Sequence, residues 1–136
     1  MADPFSITVD PARDLVRIVM TGLLLPEHVS AFFEARRAAH AKLTCAPGRH
    51  LTLTDLRAVK IMPQETVSAF ATLLTRPESR ARRLAFVVSA TLVRNQLTRI
   101  LAGRDGRYFA HPEEAEAWLL SDDDGARWVA RTQASA

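Results

Sequence analysis

Residues Leu84–Ala90 read LAFVVSA, apolar at almost every position. A strand of this kind has no polar side to turn to water, so it belongs in the middle of a sheet whose faces are covered. The rest of the chain must supply neighbouring strands and covering helices, and it does so in regular alternation. FSITV (Phe5–Val9) places Phe5, Ile7 and Val9 on one side and Ser6 and Thr8 on the other, the mark of a half-buried strand. DPARD follows, with Pro11 suited to the second position of a type I turn, and LVRIVMT (Leu15–Thr21) returns as the partner in an antiparallel hairpin. LTLTDL (Leu51–Leu56) alternates again, with Leu51 and Leu53 opposite Thr52 and Thr54, and RYFA (Arg107–Ala110) is a short last strand.

The intervening segments have helical spacing. Pro26 and Glu27 open a first helix, with Val29, Phe32, Phe33 and Ala39 along its core side. A second helix runs from Pro63 to about Thr75, with Val67, Phe70, Ala71 and Leu74 as its stripe. Thr91 caps a third, which buries Val93, Leu97, Ile100 and Leu101 and ends at Gly103. Pro112 and two glutamates start a fourth, HPEEAEAWLL.

The order β-β-α-β-α-β-α-β-α implies an α/β fold with one mixed, mostly parallel sheet of about five strands. Ser6, Thr8, Arg17, Thr52 and Thr54 give several strands a polar side, which a sheet covered by helices on both faces would not tolerate. Helices are therefore expected mainly on one face, with part of the other face wet. Residues 1–120 are read as this domain and 121–136 as a polar C-terminal tail.

The 136 residues suffice for one core without a metal or disulfide staple, and the single cysteine, Cys45, rules out a disulfide within the chain. No apolar run approaches the roughly 18 residues of a membrane span. MADPFSITVD lacks the basic and apolar regions of a secretory signal, so a cytoplasmic location is expected. The net charge of +3 rests almost wholly on arginine, and it points only weakly to an anionic partner.

The element order, the DL closing LTLTDL, the LAFVVSA strand and the final YFAHPEEAEAWLL resemble the SpoIIAA-like, STAS-type domain, the anti-sigma-factor antagonist fold, in a divergent bacterial branch. The resemblance covers roughly residues 5 to 120 and implies a regulatory or protein-interaction module rather than an enzyme. In the switch-bearing members a serine at the start of the second helix is phosphorylated, which breaks the partner interface. Aligning Asp55 and Leu56 with the family's strand end puts Pro63, Gln64 and Glu65 at that place, and none of them carries a hydroxyl. Glu65 already supplies negative charge there, while Thr66 and Ser68 read as helix-surface residues. The serine switch is expected to be absent.

Other chemistry finds little support. His28, His40, His50, His111 and Cys45 show no metal-ligand spacing and read as surface or capping residues, so no metal or cofactor is expected. No nucleophile elbow occurs, and GRDG (Gly103–Gly106) precedes a strand rather than a helix, which makes it a turn and not a phosphate cradle. The arginines at 76, 80, 82, 83, 94, 99, 104 and 107 have as aromatic company just Phe86, read as buried, and Tyr108 with Phe109, so a solvated face outweighs nucleic-acid binding.

Two readings remain. The second helix carries no charge from Thr66 to Thr75, and its outward positions Ser68, Ala69, Thr72 and Leu73 form a candidate contact surface for a protein partner or for self-association. Alternatively, Met20, Phe32, Phe33, Met62 and Phe70 line a pocket for a small apolar, lipid-like ligand between sheet and helices, as suggested for the divergent branch.

Overall fold

The computed structural model describes residues 4–46, 48–59, 62–74, 76, 81–89, 91–101 and 106–121. The elements follow in the order β1 (Phe5–Asp10), β2 (Leu15–Gly22), α1 (Pro26–His40), β3 (Leu51–Val59), α2 (Gln64–Leu74), β4 (Arg83–Val87), α3 (Thr91–Leu101), β5 (Arg107–Phe109) and α4 (Pro112–Leu120). The strands make one sheet in the order β1-β2-β3-β4-β5, with β1 antiparallel to β2 and every later pair parallel. Each crossover advances the chain one strand in the same direction. Crossovers of one hand then place α1, α2 and α3 on the same face. The fourth helix follows the last strand, crosses nothing, and folds under the opposite face. Among the described residues no helix is long and apolar enough to cross a membrane.

Two cores result. Val16, Ile18 and Met20 of β2 pack with Val29, Phe32, Val67, Phe70, Val93 and Leu97 of the three crossover helices. On the other face Leu15, Leu51, Leu53, Ala85 and Val87 pack against Ala115, Trp118 and Leu119. Each large apolar side chain buried in this way stabilises the fold by about 1.5–3 kcal/mol. Arg83 locks α4 in place, its Nη1 donating to the carbonyl oxygen of Trp118 (2.6 Å) and to Ser121 Oγ (2.9 Å) at the helix C-terminus. Arg17 also bonds Glu116 across this face.

Helices lie mainly on one face, as expected, but the residues that suggested it divide differently. Of those residues, Ser6 and Thr8 of β1 are exposed, with exposed Val19 beside them, and Arg17 is half-buried. Thr52 and Thr54 are buried beneath the three-helix face, and Leu51 and Leu53 point the other way into the α4 core. An interior strand covered on both sides must choose which set meets which helix. Here α4, only nine residues long, takes the leucines.

The second helix is rotated from its expected phase. Thr66 is fully buried, not a surface residue, and its hydroxyl donates to the Leu24 carbonyl at 2.8 Å. Leu73, expected to face outward, is 5 % exposed and belongs to the core. Ser68 and Thr72 do face solvent, and Ala69 is half-buried. Residues 122–136 of the expected tail, most of the GRDG turn, and the side chains at 74, 100 and 101 lie outside the described residues.

Candidate functional site

Between the sheet and the three crossover helices the packing leaves a cavity of about 70 Å³. Its apolar wall includes Met20, Phe32, Met62, Phe70, Leu73 and Phe86. Thr52 and Thr54 lie in its floor, where short side chains leave the space that larger ones would fill. The walls are held firmly. Phe32 meets Phe5 and Phe70 edge-on at 5.5 and 5.8 Å, and Gln96 clasps Met62 at both backbone groups, accepting from its N–H at 3.0 Å and donating to its carbonyl at 2.7 Å.

Polar groups gather around Arg36, which lines the cavity with His40 and His50. Arg36 occupies the buried stripe of α1, in line with Val29, Phe32 and Ala39, and is 5 % exposed. His50 is 4 % exposed, and its ring lies 4.5 Å from that of His40. Asp14, in left-handed conformation at φ 49°, holds the loop that carries His50. Its carboxylate accepts from the Thr44 N–H at 2.7 Å and the Cys45 N–H at 3.3 Å, which keeps its carboxyl below the ordinary range. Burial, followed by the carboxylate of Asp14, pushes the Cys45 thiol up, away from the reactive thiolate.

Burial, then His50 and Arg36, lowers His40 from 6.5 to about 4. Burial and Arg36 lower His50 as well, with Asp14 opposing. Both imidazoles are therefore neutral at pH 7. The unfolded chain takes up their protons near pH 6.5, whereas folded His40 resists until about 4, so the unfolded state binds more protons in that window. Thermal stability is expected to hold above pH 7 and to fall as the pH drops from 6.5 towards 4. His40→Asn/His50→Asn should flatten that decline in melts monitored by circular dichroism. An unaltered slope would place the acid sensitivity elsewhere.

Outside the cavity, an open groove of about 380 Å³ is lined by Phe33, Arg36, Arg37, His40 and Arg76. The guanidinium carbons of Arg76, Arg36 and Arg37 lie 4.7, 5.5 and 5.9 Å from the centre of the Phe33 ring, in cation–π range. Phe33 is thus a shelf in this groove rather than part of the cavity wall. The other four apolar candidates, Met20, Phe32, Met62 and Phe70, do converge on the cavity.

Asp55, in the strand β3 that leads towards the second helix, is bound by Arg57, with Nη2 and Oδ2 2.7 Å apart, and this holds its carboxyl below the ordinary range. Gln64 and Glu65 open α2 in solvent. The histidines separate by role. His28 Nδ1 accepts the Leu25 N–H at 3.0 Å and so caps α1, whereas His111 heads α4 with no side-chain capping bond. His50 is buried rather than on the surface.

The arginine-rich segment does not form one face. Arg83 and Arg107 lie over Trp118 on the α4 side, Arg94 over Tyr108, and Arg76 over Phe33, while positions 80 and 104 lie outside the described residues. Arg36, His50, Thr52 and Thr54 did not stand out as site residues in the sequence. The legible signal was an arginine at a stripe position of α1.

No protein-family model and no curated protein matches the chain. Among solved structures, it is similar to the crystal structure of an uncharacterised protein of the DUF3478 family with a SpoIIAA-like fold from Shewanella loihica PV-4. The match has a TM-score of 0.66 at 15% sequence identity and covers 85% of this chain and 93% of that one. The fold of this chain is SpoIIAA-like.

Proposed function

We propose that the chain is a non-enzymatic binding module that carries or senses a small apolar molecule held between the sheet and the first three helices. One observation carries this reading: Met20, Phe32, Met62 and Phe70 surround a void instead of closing it. Protein interiors pack to crystal-like density, so an apolar space with a few convergent polar groups at one side is the usual form of a ligand site. The SpoIIAA-like fold is equally compatible with a protein-contact module, whose contact surface would lie on α2. With Leu73 in the core, that surface retains Ser68, Ala69 and Thr72, which offer little apolar area to a partner.

Native mass spectrometry of freshly purified protein, paired with titration of the neutral fluorophore N-phenyl-1-naphthylamine, tests the proposal. A co-purifying lipid-like mass, or saturable fluorescence enhancement at micromolar probe, is the expected result. A clean polypeptide mass together with no enhancement would overturn it.

A further inference from the structure

His50, Thr52 and Thr54 stand at alternate positions, share one side of the chain and form a polar row along the cavity floor. All three are more than nine-tenths buried, at 4, 8 and 6 % exposure. Among the described residues, none hydrogen-bonds to these three side chains. Thr66, equally buried, shows the contrast, because its hydroxyl is taken up by the Leu24 carbonyl. A polar group buried without a partner costs more than the bond it would make gains, so interiors seldom keep one, let alone three in a line. The row also has a direction. His40 lies against His50 at one end. At the other, Leu56 continues the row, and Met20 of β2 sits level with it, between the Val19–Asp55 and Thr21–Ala58 pairs.

We infer that the cavity takes an uncharged amphiphile, its hydroxyl or carbonyl oxygen hydrogen-bonded to the row of His50, Thr52 and Thr54 and its apolar body lying towards Leu56 and Met20. This rests on the carrier reading above and adds the class of ligand. A pure hydrocarbon would seal three polar side chains away from every partner, whereas a ligand with an oxygen of its own satisfies them. Threonine hydroxyls and a neutral imidazole both donate and accept, so the row suits either kind of oxygen. Burial first, and the charge of Arg36 after it, keeps His50 neutral at pH 7, so the row brings no charge to set against an anionic head. Arg36, the cation that also lines the cavity, already has an interaction of its own within the protein. A carboxylate entering there would shed its water with little return.

Isothermal titration with benzyl alcohol, toluene and benzoate, which share a ring and differ in the head, tests this on the parent and on Thr52→Val/Thr54→Val. Valine keeps the β-branched shape and removes only the hydroxyl. With no internal bond to lose, the variant should melt within about 5 °C of the parent or above it. It should bind toluene at least as tightly as the parent does, while its affinity for benzyl alcohol falls at least about fivefold. Benzoate should bind the parent at least about tenfold more weakly than benzyl alcohol. An equal response of alcohol and toluene to the two valines, or a larger fall in melting temperature, would overturn the polar row. Benzoate binding as tightly as benzyl alcohol would overturn the uncharged head. Toluene uptake in either case leaves the carrier reading standing. No uptake of any of the three, with no enhancement of N-phenyl-1-naphthylamine, would remove the carrier reading and the ligand class together, with water alone satisfying the row.

Discussion

Leu73→Glu is expected to unfold the chain rather than to weaken an association. Leu73 lies against the cavity within the three-helix core at 5 % exposure. Deleting a buried leucine side chain costs about 2–5 kcal/mol through lost transfer energy and the void left behind. A carboxylate in its place must also be desolvated or take up a proton, which adds several kcal/mol. Against a total stability of about 5–15 kcal/mol, little remains. The melting temperature should fall by more than about 15 °C, or the cooperative transition should vanish. Ser68→Glu, on the exposed side of the same helix, should change stability by no more than about 0.5 kcal/mol. A Leu73→Glu protein that melts like the parent would mean that α2 is turned the other way, which would restore Leu73 to a contact surface.

That residue also shows where the sequence stopped being legible. The nine elements and their order followed from periodicity and from proline and acidic residues at helix starts, signals that lie within single segments. The phase of α2 did not. TVSAFATLLT has no charged residue to mark a wet side, so its stripe rotates with little cost in pattern. The choice is made by tertiary contact, with Thr66 reaching the Leu24 carbonyl and Leu73 reaching the cavity. β3 failed for a related reason. Alternation announces two different sides, but not which core each side meets, and a helix near the end of the chain claimed Leu51 and Leu53.

The site was half legible on the same logic. Four of its apolar wall residues stood out because aromatic and methionine side chains at core spacing invite a pocket reading. Arg36, His40 and His50 did not, because charged and imidazole side chains are read as solvated unless a partner is visible nearby in sequence. His40 and His50 meet only after the loop between them is drawn in by Asp14, a contact spanning some thirty positions. Phe33 was misplaced by one helical step. Its neighbour Phe32 points into the core, while Phe33 turns outward beneath the arginines.

Thr52→Ile/Thr54→Ile should abolish ligand uptake while leaving the protein folded. Both threonines are buried in the cavity floor, on the same side of β3. Isoleucine keeps the β-branched shape that strands favour, replaces each hydroxyl with carbon, and extends one atom further into the void. Filling apolar space gains about 0.8 kcal/mol per buried methylene, and overpacking costs about 1–3 kcal/mol where neighbours cannot yield. These terms oppose each other, so the melting temperature should move by only several degrees in either direction. Binding has no such compensation, because the apolar ligand and the new side chains compete for one space. Affinity for N-phenyl-1-naphthylamine should fall at least about tenfold. Ser6→Ile/Thr8→Ile, on the open face of β1, controls for added surface and should leave that affinity intact. If the filled variant folds and binds as tightly as the parent, the ligand is held somewhere other than between the sheet and its three helices.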